Sequence, residues 1–334
     1  MQDVADLSSV SKQTVSAVIN DKPGITAETR ARVLAAIEQV NYRMDLRARS
    51  LRTGRTHTVA LLVTDVSSPV FGKIANAAEE LVYAEQYNLV LYNTHDDLAR
   101  ERFYIDSILQ RSVDGVMFVS ASDDSTALEK LEAAGIPVVV VDRAPHNYHG
   151  PAVVLDNAKA GQLAAEHLLR LGHTRCAHIS GPDQVHITRE RLEGFRQVLA
   201  QHGLAPIDVE ETDDWRLESG YAAAERLLAR GTPMTSVFCA GDLLAMGAMR
   251  AFQDANLQIP ADLSVVSIDD IDLAAYVSPP LTTISQSLVQ MATMGVQLLF
   301  DLLAGKEPAQ QRIVIQPQLI VRRSTAALQT SALN

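Results

Sequence analysis

The most constraining feature of the chain is a series of short apolar runs that begins at Val59 and recurs almost to its end. The runs occupy residues 59–63, 89–92, 115–119, 137–142, 176–180, 236–240, 263–269 and 312–316. Each is continuously apolar, whereas a strand with one wet face would alternate apolar and polar residues. Segments of helical length separate the runs. The pattern therefore predicts strands of a parallel sheet that helices cover on both faces.

This alternation predicts an α/β body of two doubly wound parallel-sheet lobes, because about ten strand–helix units exceed what a single core serves. Crossings between the lobes are expected near Asp156 and within 279–287. The expected division gives lobe 1 about 57–156 and 286–310, and lobe 2 about 157–285 and 311–325. Ligands of open α/β sheets bind beyond the carboxyl ends of the strands. Two facing lobes thus predict a small-molecule cleft that closes by hinging.

The start of the chain predicts an α-helical helix-turn-helix head over residues 1–44. Two short helices are expected between Asp3 and Asn20, with Ser11 placed to cap the second. Thr26 is the expected cap of a third helix, since apolar residues follow it at helical spacing. Residues 45–56, which are rich in arginine, are expected to form a linker with a hinge helix.

Charge separates the head from the body. Residues 1–58 hold nine Lys/Arg and six Asp/Glu, a net of +3. The whole chain holds 29 and 40, so residues 59–334 hold 20 and 34, a net of −14. A basic head on an acidic body directs double-stranded DNA to the head and repels it from the rest.

Other features narrow the class of protein. Cys176 and Cys239 both lie in apolar runs, which favours buried thiols and a reducing cytoplasm. No export signal opens the chain, and no run approaches the roughly 20 apolar residues of a membrane helix. Three classes are weighed: a DNA-binding repressor with a small-molecule effector, a free sugar-binding receptor, and an enzyme acting on a sugar.

The sequence shows no catalytic pattern that would support an enzyme. Neither GxxxxGK[ST] nor GxGxxG follows a predicted strand. Four histidines fall close together in sequence, yet they lack zinc-ligand spacing with the two cysteines. They are His167, His173, His178 and His186. Neither a cofactor nor a metal is predicted.

Several motifs, taken in order, resemble the lac-repressor (LacI/GalR) family of bacterial transcription regulators. They include VSKQTVSAVIN (10–20), ARSLRTGRT (48–56), PVVVVDR (137–143), LGHTRCAHISG (171–181), RLEGF (191–195), GDLLAMGA (241–248) and PPLTTI (279–284). The resemblance spans nearly the full length. It implies a helix-turn-helix head, a hinge helix and a periplasmic-binding-protein-like core, and homodimers on palindromic operators. Family members carry a threonine that caps the first helix, at a position that would lie just before Met1. Either the start therefore lies upstream of Met1 or the first helix lacks that cap.

The resemblance also assigns DNA contacts. It places the second helix in the major groove, with Lys12, Gln13 and Ala17 facing base edges. Ala17 departs from the arginine that is common there, which puts the usual guanine contact in doubt. Residues suited to phosphate contacts are Ser11, Thr14, Ser16 and Asn20. In the hinge, Arg47, Ala48 and Leu51 are implicated, with the leucine expected to wedge into the minor groove.

The predicted effector site follows from the family match and from what sugars need. Hydroxyl groups call for paired hydrogen-bonding side chains, and sugar C–H surfaces call for aromatic faces. The matching residues are Phe71, Asp142, Arg191, Trp215, Asp269 and Gln286. Gly241 replaces a common asparagine, so one hydrogen-bond donor is lost. The expected function is repression of carbohydrate-related genes by a homodimer, because 324–334 is too short and polar for a tetramer-forming tail; a free sugar receptor is the alternative.

Overall fold

The computed structural model describes residues 1–19, 21–42, 54–111 and 113–328. The chain divides into two compact units, Met1–Thr56, here the head, and His57–Asn334, here the body. Four residues predicted to contact DNA lie outside the described residues, and their roles stay predictions. They are Asn20, Arg47, Ala48 and Leu51.

The described part of the head consists of three helices, as the sequence predicts. They are α1 (Gln2–Ser8), α2 (Lys12–Ile19) and α3 (Ala27–Gln39). Their apolar faces share a small core of Val4, Ala5, Val15, Val18, Val33 and Ala36. Since each helix is short, this shared burial rather than helix propensity holds the head together.

Side-chain caps fix where the second and third helices begin. Ser11 Oγ accepts a hydrogen bond from the Thr14 backbone N at 3.1 Å. Thr26 Oγ1 accepts one from the Thr29 backbone N at 3.3 Å. Both predicted caps are confirmed. Each satisfies a backbone donor that the first turn of a helix otherwise leaves open.

Within the described residues the body holds two six-stranded sheets. The strands of the first sheet are β1 (Thr58–Val63), β2 (Asn88–Asn93), β3 (Gly115–Phe118), β4 (Val138–Val141), β5 (Ala152–Leu155) and β11 (Arg312–Ile315). Those of the second sheet are β6 (Cys176–Ile179), β7 (Asp208–Glu210), β8 (Ser236–Cys239), β9 (Ser264–Asp269), β10 (Thr282–Ser285) and β12 (Gln318–Ile320). The orders are β11-β5-β4-β3-β1-β2 and β12-β10-β9-β8-β6-β7.

All strand pairs are parallel apart from the antiparallel pair β10–β12. The body helices are α4 (Pro69–Ala84), α5 (Leu98–Arg111), α6 (Thr126–Ala133), α7 (Asn157–Arg170), α8 (His186–Gln201), α9 (Leu217–Ala229), α10 (Asp242–Asp254) and α11 (Leu288–Leu303). The predicted fold class, two doubly wound α/β lobes, is confirmed. The first lobe is built on the first sheet and the second lobe on the second.

One part of the expected lobe division is wrong. The expectation placed 311–325 in the second lobe, but β11 pairs in parallel with β5 of the first sheet, with Ile313 opposite Val153. Ile315 at its end is buried in the main core. The strand that enters the second sheet is β12, three residues later. Of the four residues of β11, only Ile315 is buried, so the strand is held at the edge of the first sheet mainly by its backbone pairing with β5.

Glycines let helices of the second lobe approach closely. A Cβ on Gly247 of α10 would lie 1.9 Å from the Leu217 carbonyl oxygen of α9, and one on Gly220 would lie 2.1 Å from the Leu244 carbonyl oxygen. No side chain fits at such distances. The α9–α10 contact therefore depends on both glycines.

We expect Gly247→Ala to lower the free energy of unfolding by about 2 kcal/mol or more, because overpacking forces the two backbones apart. The measurement is the urea midpoint of the full chain. Gly72→Ala is the matched control, since Gly72 lies in α4 and a Cβ there meets no atom within 4 Å. The control should keep or raise stability, as alanine is the better helix former. Equal losses in the two variants would contradict the close-contact argument.

Candidate functional site

The carboxyl ends of strands in both sheets carry polar residues of the site. Asp142 follows β4, and Asp269 is the last residue of β9. Both have positive φ, 66° for Asp142 and 133° for Asp269. Such a conformation costs a residue with a Cβ about 1–3 kcal/mol and persists only where the surroundings enforce it, typically at ligand sites.

All six residues predicted to bind an effector line one small cavity of about 30 Å³, the inner cavity. They are Phe71, Asp142, Arg191, Trp215, Asp269 and Gln286. A wider outer cavity of about 580 Å³ adjoins it. The two share the lining residues Ser68, Phe71, Arg143, Trp215 and Leu243. The structure thus brings together residues that are far apart in sequence, and their part in binding an effector stays a prediction.

Arg191 is the most deeply buried charge of the site, with 2% of its surface exposed. Its Nε donates to Asn157 Oδ1 at 2.8 Å, and one terminal nitrogen donates to the Ala240 carbonyl oxygen at 2.6 Å. Burial lowers the pKa of its guanidinium, while Asp269 and Asp142 act in the opposite direction. The group is held rigidly and presents hydrogen-bond donors at the cavity.

Arg143 is a site residue that the sequence reasoning missed. It is 6% exposed, and its guanidinium carbon lies 5.1 Å from the Phe71 ring centroid and 5.4 Å from that of Trp215. It also pairs with Asp96 at 3.0 Å and lies 3.9 Å from Asp142. Its position directly after Asp142 in PVVVVDR was the available signal.

Asp269 is a hydrogen-bond acceptor that lines the inner cavity. Gln286 Nε2 donates to its Oδ1 at 2.5 Å, and the Asp242 backbone N donates to its Oδ2 at 3.0 Å. Burial raises the pKa of Asp269 to about 6, although the charge of Arg191 opposes the rise. Burial also raises the pKa of Asp142, which nearby guanidinium groups oppose. Both carboxyl groups can accept hydrogen bonds from ligand hydroxyls.

Asp242 supports this arrangement from behind. Its carboxylate accepts from Ser267 Oγ at 2.5 Å, Thr283 Oγ1 at 2.6 Å and the Ile271 backbone N at 2.9 Å. Burial and the nearby charge of Asp269 together raise the pKa of Asp242 to about 7, although its three hydrogen bonds oppose the rise. The three donors join β9, β10 and the turn after β9, so Asp242 positions the backbone that carries Asp269.

Three buried polar atoms of cavity-lining residues have no hydrogen-bond partner among the described residues. They are Arg143 Nε, Trp215 Nε1 and Gln286 Oε1. An unsatisfied buried polar group costs about 1–3 kcal/mol. A ligand that supplied matching partners would recover this free energy.

Ion pairs join the two lobes at the rim of the cleft. Lys73 of α4 contacts Asp272 of the second lobe at 2.8 Å. Asp123, after β3, contacts His186 Nδ1 at 2.8 Å and Arg189 at 2.7 Å, both on α8. These contacts hold the rim in the present arrangement.

On the head, the predicted base-reading residues lie on one short helix. Lys12 and Gln13 are exposed, whereas Thr14, Ser16 and Ala17 are half-buried. The Ser11 hydroxyl serves as the cap of α2. The first turn of α2 therefore offers a cationic and an amide side chain to a partner, as major-groove readout requires.

Two of the histidines that lie close together in sequence, His173 and His178, are buried and hydrogen-bonded within the protein. His178 is fully buried, with Nδ1 2.9 Å from the Phe238 carbonyl oxygen, and burial lowers its pKa to about 3. His173 lies between Thr235 and the Ala326 carbonyl oxygen. In the part of the chain that is described, no group of three His, Cys, Asp or Glu residues is placed to hold a metal. No helix found there is long and apolar enough to span a bilayer.

Comparison with known proteins extends over nearly the whole chain. It is 35% identical over 332 residues to the HTH-type transcriptional repressor PurR of Proteus mirabilis, covering 98% of this chain and 96% of that protein. It is 33% identical over 326 residues to the ribose operon repressor of Escherichia coli K12, covering 97% and 99%. The Lac repressor dimer bound to operator and the anti-inducer ONPF matches with a TM-score of 0.89 at 27% identity, covering 97% and 98%.

The fold and these matches define a DNA-binding regulator of transcription. Residues 1–45 match the model of bacterial regulatory proteins of the lacI family, and 165–325 match that of periplasmic binding protein-like domains. The chain belongs to the lacI family. The predicted resemblance is confirmed. The relatives named above are repressors and not enzymes, and they give no support to the alternative of a free sugar receptor.

The raised pKa of Asp242 predicts a pH dependence of stability. The folded chain keeps this proton to about pH 7, whereas an unfolded aspartate loses it near about pH 3.9. The associated stabilisation is present at low pH and is lost as pH rises through the folded pKa. We expect the melting temperature of the wild type to fall relative to that of Asp242→Asn between about pH 5 and pH 8.

The control is Asp254→Asn, which removes a carboxylate at the exposed end of the same helix. Melting curves of this control should run parallel to those of the wild type across the pH range. A constant difference between wild type and Asp242→Asn would show that this carboxyl group does not titrate there.

Proposed function

We propose that the chain represses genes for the use of a sugar, binds a palindromic operator as a homodimer, and responds to a neutral polyhydroxylated effector. One observation carries the proposal: guanidinium, carboxylate and aromatic side chains from both lobes converge on the inner cavity. A helix-turn-helix head on the same chain couples such a cavity to DNA. The chain acts by binding, not by catalysis.

The chemistry of the inner cavity, together with the space of the adjoining outer cavity, fits a sugar. Each hydroxyl both donates and accepts, and here Asp142 and Asp269 can accept while Arg191 and Arg143 can donate. The Phe71 ring adds an apolar face for C–H surfaces. The ribose operon repressor among the relatives supports a monosaccharide.

The charges favour a neutral effector. In the inner cavity two arginines face two aspartates, so no net charge is left for a charged ligand to match. The outer cavity is acidic, with two arginines, Arg143 and Arg216, against five carboxylates: Asp65, Asp96, Asp213, Asp214 and Glu218. A sugar phosphate or sugar acid would meet repulsion on entry.

The head supports the DNA partner. Lys12 and Gln13 are exposed at the start of α2, where a helix that lies in the major groove contacts base edges. A dimer with a two-fold axis offers two such helices to two half-sites. The named Lac repressor structure is a dimer on operator DNA, which supports this arrangement. A regulator that binds chromosomal DNA works in the bacterial cytoplasm.

Selection from random DNA duplexes tests the DNA proposal. The full chain should enrich a sequence with two-fold symmetry, while residues 57–334 should enrich none, because the basic head is missing. Lys12→Ala and Gln13→Ala should relax preference at single positions of each half-site at a cost of about 1–3 kcal/mol. Enrichment of the same site by residues 57–334 would refute the assignment of DNA binding to the head.

A thermal-shift panel of neutral pentoses and hexoses, including D-ribose, tests the effector proposal. For any sugar that stabilises the wild type, Arg191→Ala should weaken the binding free energy by about 2 kcal/mol or more. The reason is that the sugar loses a hydrogen bond to a charged group. Arg191→Lys keeps the charge and guards against simple misfolding. Arg196→Ala, exposed on the same helix, is the control. A sugar bound equally by all four proteins would exclude this cavity as its site.

A further inference from the structure

The indole of Trp215 lies against two glycines of the second lobe. Gly181 follows β6 and Gly241 follows β8, and these strands are neighbours in the sheet. A Cβ on Gly181 would lie 2.4 Å from Trp215 Cη2, and one on Gly241 would lie 3.3 Å from Trp215 Cε3. A side chain at Gly181 is therefore incompatible with this ring position, and one at Gly241 would crowd it.

Two cations lie near the ring of Trp215, which packs against Gly181 and Gly241. The guanidinium carbons of Arg143 and Arg191 lie 5.4 Å and 5.6 Å from the Trp215 ring centroid. Cation–π attraction of this kind contributes about 0.5–2 kcal/mol, more when the groups are desolvated. One cation comes from each lobe. Both cations therefore stabilise the indole in its position against the two glycines.

The indole nitrogen of this ring lacks a partner. Trp215 Nε1 is buried and makes no hydrogen bond with any described residue. An indole N–H can only donate, so no rotation of the group converts it into an acceptor. Trp215 lines both the inner and the outer cavity. An oxygen of a ligand in these cavities can therefore serve as its acceptor.

We infer that the Trp215 N–H donates a hydrogen bond to a hydroxyl oxygen of the effector and thereby determines specificity, in addition to any stacking by the ring. The inference rests on the proposed function. Gln286 Oε1, the unpartnered acceptor of the same cavity, can take the hydrogen of a hydroxyl. Gly181 and Gly241 leave room for the ring that carries this N–H.

The test is Trp215→Phe in the full chain, which keeps an aromatic face and removes the donor. For a sugar of the panel that stabilises the wild type, we expect binding to weaken about ten-fold, the range for losing one hydrogen bond in a buried site. Trp215→Leu, which removes the donor and the aromatic face together, should bind that sugar more weakly still. Binding of that sugar by Trp215→Phe with the affinity of the wild type would overturn the inference.

Single-deoxy analogues of the bound sugar make the test specific. One analogue should bind the wild type about ten-fold more weakly than the parent and lose nothing further on Trp215→Phe, since the same hydrogen bond is already absent. Fully additive losses at every position would overturn the inference.

The outcomes separate the inference from the proposed function. Normal binding by Trp215→Phe of a sugar that Arg191→Ala fails to bind would overturn the inference alone. A panel in which no sugar stabilises the wild type would overturn both.

Discussion

The buried guanidinium of Arg191 is the group around which the site is organised. A buried charge costs several kcal/mol unless it is paired and fully hydrogen-bonded. Asn157, the first residue after the crossing between lobes, and the Ala240 carbonyl at the end of β8 supply hydrogen bonds. Asp269 and Asp142 supply the opposite charge. The positions of a crossing, a strand end and two carboxylates are thereby tied to one side chain, which explains why residues so distant in sequence meet in one cavity.

Much of the fold could be predicted because burial on both faces leaves a continuous apolar run. Strands such as β4 and β9 are buried along their whole length and were read directly from the sequence. The strand β7 is only half-buried and β10 is rich in threonine, so neither left that pattern. The sheet to which β11 belongs could not be predicted, because an apolar run carries no information about its long-range partner.

Some residues of the candidate site could likewise be predicted from the sequence, and others could not. Asp142 and Asp269 could be predicted because each ends an apolar strand, where open α/β sheets bind ligands. Arg143 and Asn157 were missed because a single arginine or asparagine beside a strand usually faces solvent, and their roles arise from tertiary contacts. The expectation of a lost donor at Gly241 was incomplete for a related reason. Sequence records the missing side chain but not the indole that occupies the space beside it.

The strength of the contacts across the cleft determines what controls its closure. The rim pair Lys73–Asp272 is exposed, with 84% of the aspartate side chain accessible, and exposed pairs contribute about 0.2–1 kcal/mol. The Asp123 contacts with His186 and Arg189 are more sheltered but still reach solvent. Rim contacts of this size can hold a closed arrangement only weakly. A ligand that bonded to Asp142 of the first lobe and to Arg191 of the second would add free energy only when the lobes are together, so its binding would favour the closed arrangement.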